Sequence, residues 1–441
     1  MSEYVEVSVR NMSLYWFRNY LKDDIVSLLF SKRNLFCFHN QNNDPEDEDS
    51  VQYTQYVFKA SVKEVKERLD AQGYSLYRFE KIFDEKAKEL LYYDAFLNHL
   101  HVNDDYEKIA EARIQKNVTF LKWKNAIKKI ISYELDNGNV SCYNKCDDLK
   151  KIINNECEKV IYYSLLEEER KYYYAMNIEA IPIGYVFRII LENCNLNDEV
   201  VLDFTNLINW SYDYISKDIS FNSEIERTIV LVEGKSDKDI LEFALDNLYP
   251  HLFDLFYFMD FDDGYGGKRD GGTSYLIKNF KTFYFSKIKT RFIAIFDNDA
   301  EGYISKCSLE NDIKTWPDNF RILKYPDEKI FKTFPTLMPN GAITNDNING
   351  KACSIELYLP DELITDKGEY YPVEWEARKI IKTNDINHEY LYQGVVSNKE
   401  EIKDKFYKLK IEIKNNKKSF VKEDWKRIND IIDSIVFAFC K

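Results

Sequence analysis

Two apolar runs in this chain each lead straight into carboxylates. The first is Thr228-Ile-Val-Leu-Val-Glu233-Gly234-Lys-Ser-Asp237, and the second is Arg291-Phe-Ile-Ala-Ile-Phe-Asp297-Asn-Asp299-Ala-Glu-Gly302. Consecutive apolar positions are what a strand covered on both faces requires, and such strands belong to parallel sheets flanked by helices. Carboxylates where those strands stop fall at the carboxyl edge of the sheet, the edge at which open α/β folds place their sites. Asp297 and Asp299 are two residues apart, so in extended chain both side chains leave on one side, with Cα atoms roughly 6.6 Å apart. Glu233 ends a neighbouring strand. Gly234 is expected to let the chain turn tightly into a helix that carries Asp237 beside the same edge.

The pair of motifs resembles the Toprim domain, whose pattern is a strand ending in Glu-Gly followed by a second strand ending in Asp-x-Asp. The resemblance spans residues 225–365. It implies a Rossmann-like, mostly parallel sheet and a site shared by topoisomerases, bacterial primases, ribosomal-RNA maturation nucleases and overcoming-lysogenisation-defect nucleases. In the last group an acid four positions after the first Glu, and a late Ser-x-Glu-like element, complete a second metal position. Asp237 and Glu356 (in Cys353-Ser-Ile-Glu356) are the matching residues here. No segment resembles a topoisomerase body or a zinc-binding primase module.

Carboxylates crowd together only at a cost. Two like charges about 4 Å apart repel by about 4 kcal/mol at an effective dielectric near 20. A hard divalent cation removes that penalty, and an all-oxygen donor set suits Mg²⁺ or Mn²⁺ rather than zinc. The expected chemistry is metal-dependent phosphodiester hydrolysis with one or two ions. Asp297 and Asp299 anchor metal, Glu233 binds metal or moves a proton, and Asp237 and Glu356 hold a second ion. Lys351 is a candidate to neutralise charge on the phosphate. Against this stands a plain structural reading. Strands ending in Asp are common in doubly wound folds, and helix N-termini favour acids for dipole reasons.

The chain has 441 residues and a formal net charge of −14. So acidic a chain is no general nucleic-acid coater, and contact with DNA or RNA requires a local basic surface and bound metal. Hydrophobic residues make up 45% of the chain, ample for more than one core. The acidic run Asp44–Asp49 reads as a solvated loop. No signal peptide is recognisable at the start, and no run of eighteen apolar residues appears, so the expectation is a cytoplasmic protein without a membrane span. Cys142, Cys146 and Cys157 lack a nearby histidine and read as ordinary reduced thiols rather than a zinc site.

Three parts are expected: an α+β, largely helical domain over 1–220, the Toprim domain over 225–365 and a helical extension over 366–441. Ser61-Val-Lys-Glu64 is a capping box opening a helix that Gly73 can end. Segments 81–101 and 106–135 have helical apolar spacing, the latter with Ile109, Ala112, Val118 and Leu121. Leu35–Phe38 looks like a strand, and 185–191 and 201–214 look helical. The pattern Leu14–Asn19 followed by Asp24–Phe30 is similar to the N-terminal domain found beside HEPN or Toprim domains in bacterial conflict proteins. Lys217–Glu226 reads as a linker. Residues 340–350 read as a polar loop, and 398–438 as lysine-rich helix packing through Trp425, Ile428, Ile432 and Ile435.

These resemblances imply an antiphage nuclease that acts on DNA or on tRNA or other RNA, assembles as a homo-oligomer and works with an ATPase or sensor subunit. Two other readings remain open. One is a scaffold whose Toprim site binds metal or nucleotide without turnover. The other is a HEPN ribonuclease, which needs Arg and His on one helix. Only Arg33 and His39 fit that count, and the alternation around them favours a strand. His99 and His101 read as surface residues. The glycine-rich loop 263–272, with Lys268 and Arg269, offers amides and cations to a phosphate but matches no Walker motif.

Overall fold

The computed structural model describes residues 4–10, 12–18, 20–40, 53–83, 119–137, 182–210, 226–259, 272–313, 316–338, 340–379 and 390–440. The acidic run 44–49, His99, His101, Cys142, Cys146, Cys157, Lys268, Arg269 and the expected linker up to 225 lie outside the described residues. The chain divides into two compact units, Met1–Ile225 with Cys440–Lys441, and Glu226–Phe439. No described helix is long and apolar enough to cross a membrane.

The first unit is built on an antiparallel sheet of β1 (Tyr4–Val9), β2 (Met12–Arg18), β3 (Leu35–Asn40), β4 (Tyr53–Ser61) and β5 (Glu199–Asp203), in the order β2-β1-β5-β4-β3. Its middle strand comes from the far end of the unit. Val200 and Leu202 of β5 are fully buried, and β5 pairs with both β1 and β4. The helix expected over 201–214 is therefore corrected. Residues 199–203 are strand, because Val-Val-Leu fills the sheet centre, where β-branched side chains pack well. Thr205–Trp210 is helical, and residues 211–214 lie outside the described residues.

Around the sheet lie α1 (Asp23–Leu29), α2 (Val62–Ala71), α3 (Leu76–Ile82), α4 (Phe120–Asn137), α5 (Ile183–Leu191) and α6 (Thr205–Trp210). The capping box at α2 forms as expected. Glu64 N–H donates to Ser61 Oγ at 3.2 Å, and Ser61 N–H donates to Glu64 Oε2 at 2.8 Å. Gly73 follows with φ 83°. In α4 the buried stripe is Trp123, Ile127, Ile131 and Leu135, while Leu121 is exposed. The register read from Leu121 is thus corrected. Arg33 sits in a 3-10 turn and His39 on β3, so the pair does not share a helix.

The second unit contains a wholly parallel sheet of β6 (Thr228–Leu231), β7 (Phe256–Met259), β8 (Phe292–Phe296) and β10 (Phe320–Lys324), in the order β10-β8-β6-β7. Every residue of β8 is buried. Helices α7 (Lys235–Leu248), α8 (Thr273–Phe285) and α9 (Ala300–Asp312) connect the strands. The apolar face expected on α7 (Ile240, Leu241, Ala244, Leu245, Leu248) is buried as read. The chain runs from β6 outward to β7, then returns across β6 to β8. The winding therefore reverses between β6 and β8, and this crevice is where ligands bind in open α/β sheets.

The short β9 (Asn298–Asp299) pairs with β13 (Ala352–Cys353). A second sheet contains β11 (Phe334–Leu337), β12 (Ile343–Asp346), β16 (Val373–Lys379) and β17 (Tyr390–Val396). Two expectations are corrected here. Residues 343–346 are strand, not loop. This exposed edge pairs through a tight turn at Gly341 (φ 82°), and Thr336 Oγ1 donates to Asp346 Oδ2 at 2.7 Å. The stretch 366–441 is not wholly helical, because β16 and β17 precede the helices and β11 pairs with β16 across the expected boundary at 365. The hairpin β14 (Thr365–Asp366) and β15 (Glu369–Tyr370) follows the short α10 (Asp361–Ile364). The final helices, α11 (Lys399–Lys414) and α12 (Lys426–Val436), follow β17, and Trp425, Ile428, Ile432 and Ile435 are buried as expected.

One ion-pair network in the first unit carries a pH dependence. Arg188 bridges Asp70 at 2.7 Å and Glu192 at 2.8 Å, and Lys66 lies 2.8 Å from Glu192. Burial pushes Glu192 up, but hydrogen bonds from Lys66 and Arg188 and their charges outweigh it and hold it at about 2. A carboxylate whose folded pKa lies below its unfolded one contributes stability above the unfolded value, and loses it as pH falls toward the folded one. Urea midpoints of the wild type should therefore fall between about pH 4.5 and pH 3 more steeply than those of Glu192→Gln. After solvent screening the difference is on the order of 1 kcal/mol. Equal slopes would contradict the assignment.

Candidate active site

Glu233 lies just past β6 and Asp297 just past β8, on adjacent parallel strands at the reversal point. Glu233 points toward its neighbour: the Asp297 N–H donates to Glu233 Oε1 at 3.1 Å. Asp297 Oδ1 is buried and has no hydrogen-bond partner. Burial, then the charges of Glu233, Asp237, Asp299 and Glu356, push the Asp297 carboxyl well above its ordinary range. The other four expected acids therefore all lie within electrostatic reach of Asp297. Burial, against the Asp297 N–H and aided by the charges of Asp237, Asp299 and Glu301, moves Glu233 up to about 8.

Asp237 is buried on the first turn of α7. Tyr325 Oη donates to its Oδ1 at 2.9 Å. Burial and the charge of Glu356 outweigh Tyr325 and Lys399 and put Asp237 at about 6. Gly234 leads directly into α7, as expected. It is extended at φ −155°, ψ 175°, and a Cβ there would stand 3.3 Å from Asp237 Oδ2. What glycine provides at this point is clearance for the Asp237 carboxylate.

The two acids of Asp-x-Asp differ in kind. Asp299 is the N-cap of α9: its Oδ1 accepts from Gly302 N–H at 2.7 Å and its Oδ2 from Gln393 Nε2 at 2.8 Å. The helix-start reading of this residue is thus realised alongside any role toward a ligand. Glu356 is fully buried in a 3-10 turn (Ile355–Tyr358). Its Oε2 accepts from Ser354 Oγ at 2.7 Å and lies 3.2 Å from Lys399 Nζ. Its Oε1 has no hydrogen-bond partner. Lys351 is exposed; its backbone forms a bridge with Asp299, and its carbonyl accepts from Gly394 N–H.

Among the described residues no group of three or more Asp, Glu, His or Cys side chains stands ready to hold a metal ion. The chemistry of the acids still suits a hard cation. They are oxygen donors that raise one another's pKa, and buried oxygens of Asp297 and Glu356 lack donors.

Four further residues escaped the sequence reading. Asn298, between the two aspartates, is fully buried and ties several segments together. Its Nδ2 donates to Asp327 Oδ1 (3.0 Å) and Tyr358 Oη (3.2 Å), and its Oδ1 accepts from Lys324 Nζ (2.6 Å) and Gly350 N–H (2.9 Å). Tyr325, Gln393 and Lys399 act on Asp237, Asp299 and Glu356 respectively. Gln393 and Lys399 carried no local signal, since tertiary packing alone brings them in.

A family model described as HEPN/Toprim N-terminal domain 1 matches residues 1–227, just over half of the 441 residues. The chain belongs to this HEPN/Toprim family. Comparison with curated proteins finds no match, and comparison with solved structures finds none either. The HEPN/Toprim match ends immediately before β6 and covers none of the six candidate residues. Their placement rests on the fold of the second unit.

In this HEPN/Toprim chain Gly302 locks the geometry of the second motif. A Cβ on Gly302 would stand 2.3 Å from the Asp297 carbonyl oxygen. Gly302→Ala must push α9 away from the end of β8, and the expected cost is about 1–3 kcal/mol. Urea denaturation measures it, and an unchanged midpoint would show that the close approach is not obligatory.

Proposed function

We propose that the chain is a nuclease of bacterial antiphage defence, hydrolysing nucleic-acid phosphodiester bonds with Mg²⁺ or Mn²⁺ at a Toprim-like site. The observation that carries this reading is the Glu233–Asp297 pair. Two carboxylates follow adjacent parallel strands at the reversal of the sheet; the backbone N–H of Asp297 donates to Glu233 Oε1 at 3.1 Å, and Oδ1 of the Asp297 carboxyl has no hydrogen-bond partner. Membership of the HEPN/Toprim family supports it, since that family name pairs the chain with nuclease-associated domains. The similarity to overcoming-lysogenisation-defect nucleases belongs to the same proposal, and rests on the spacing of Glu233, Asp237, Asp297, Asp299 and Glu356.

Glu233 and Asp297 would hold a cation, with Asp237 and Asp299 beside them. When bound, a divalent ion supplies positive charge that offsets carboxylate repulsion and favours charge developing on the phosphoryl oxygens. Glu233 Oε1 accepts from the Asp297 N–H, which holds its carboxyl at the end of β8. Without a cation, burial and the neighbouring carboxylates hold Glu233 protonated up to about pH 8; a bound cation would displace that proton and leave Glu233 as an anionic ligand. Tyr325 fixes the Asp237 carboxylate and Gln393 fixes that of Asp299.

A second reading is favoured by a specific observation. Both oxygens of Asp299 accept hydrogen bonds within the chain, and among the described residues no three acids are gathered for a metal. On that reading the unit binds a ligand without turnover, or is completed by a partner ATPase or sensor subunit.

Incubation of the purified chain with plasmid, single-stranded DNA and total tRNA, in Mg²⁺, Mn²⁺ or EDTA, separates the two. Cleavage that needs the cation and disappears in Glu233→Gln and Asp297→Asn supports the nuclease, whereas undiminished cleavage by Glu233→Gln would rule it out. An activity-independent check uses stability. Acids whose folded pKa is raised destabilise the fold as pH rises from their unfolded values through about 6 for Asp237 and about 8 for Glu233. Mn²⁺ should therefore raise the melting temperature more at pH 8 than at pH 5. An equal effect at both pH values would place the ion elsewhere.

A further inference from the structure

The two ends of the acidic cluster are not electrostatically alike. Among the described residues no ion pair reaches Glu233, Asp237 or Asp297. Glu356, by contrast, is already answered from within the chain. Lys399 Nζ stands 3.2 Å from its Oε2, and Lys403 Nζ stands 4.0 Å from its Oε1 while also pairing with exposed Glu400 at 2.8 Å. Ser354 Oγ supplies a further hydrogen bond at 2.7 Å.

Lys399 is held firmly in this place. It is the first residue of α11, directly after Asn398, which is in the left-handed conformation at φ 58°. The helix behind it is anchored by buried Ile402, Phe406 and Leu409. The Lys399 ammonium also acts electrostatically on Asp297 and Asp237. With Lys399 against Glu356 and within reach of Asp237, and Lys403 shared between Glu356 and Glu400, this end has less negative charge to attract a second divalent cation.

Resting on the cation-dependent reading above, we propose that Lys399 is a tethered cation standing where a second divalent ion would otherwise be held between Asp237 and Glu356. The site then takes one divalent ion, at the Glu233–Asp297 end. A compact ammonium on a flexible stem suits such a role as a point charge.

Calorimetric titration of Mn²⁺ into the full chain tests this, at about 0.15 M ionic strength so that surface carboxylates are screened. The wild type is expected to bind one Mn²⁺ per chain. Lys399→Met, which keeps the apolar stem and removes the charge, should gain a second ion at least tenfold tighter than any second binding by the wild type. Lys399→Arg should stay at one. Two ions of comparable affinity in the wild type would overturn the assignment without any variant being needed. So would a Lys399→Met chain that melts like the wild type and still binds one. A wild type that binds no Mn²⁺ would sink the cation-dependent reading itself, whereas two ions would sink only the role given to Lys399.

Discussion

Carboxylates that repel one another at the carboxyl edge of a parallel sheet are the feature on which the second unit turns. β6 and β8 lie side by side because their apolar runs need cover on both faces, and each run stops at an acid. The sheet therefore cannot form without bringing Glu233 and Asp297 together. The fold accepts this through local devices. The Asp297 N–H is given to Glu233, Tyr325 is given to Asp237, Gln393 and the first turn of α9 are given to Asp299, and Lys399 is given to Glu356. What stays uncompensated is the Asp297 carboxylate itself. Stored repulsion of this kind is what a cation site requires before its ion arrives.

The supporting shell is as informative as the acids. Asn298 is the unspecified middle residue of Asp-x-Asp, yet it is fully buried and bonds to Lys324, Asp327, Gly350 and Tyr358, from three separate stretches of the chain. It fixes the backbone from which Asp297 and Asp299 project. Gly302 serves the same end by sterics, letting α9 start against the Asp297 carbonyl. The motif is therefore a packing unit as well as a set of acids, and its spacing reflects both.

Much of this was legible in the sequence, for physical reasons. Strands buried on both faces announce themselves as uninterrupted apolar runs, so β6, β8 and the acids ending them were readable. So were the capping box at Ser61, the packing stripe of α12 and the β3 alternation. The failures share a cause. β5 was read as helix because its Val-Val-Leu core is short and sits next to a real helix; only pairing with β1 and β4, far off in sequence, makes it a strand. β12 is polar because it is an exposed edge, and therefore lacks the apolar signal. β16 and β17 were absorbed into an expected helical tail. In each case long-range pairing decided the outcome. The candidate site followed the same rule: acids tied to a local motif could be named from the sequence, while Gln393 and Lys399, delivered by the second sheet and α11, could not.

The central claim is that Glu233 and Asp297 share a cation at the reversal of the sheet. Anomalous diffraction from a crystal grown with Mn²⁺ addresses it most directly. The account predicts a manganese peak within bonding distance of both carboxylates. A crystal in which manganese binds elsewhere, with the space between Glu233 and Asp297 empty of metal, would contradict it.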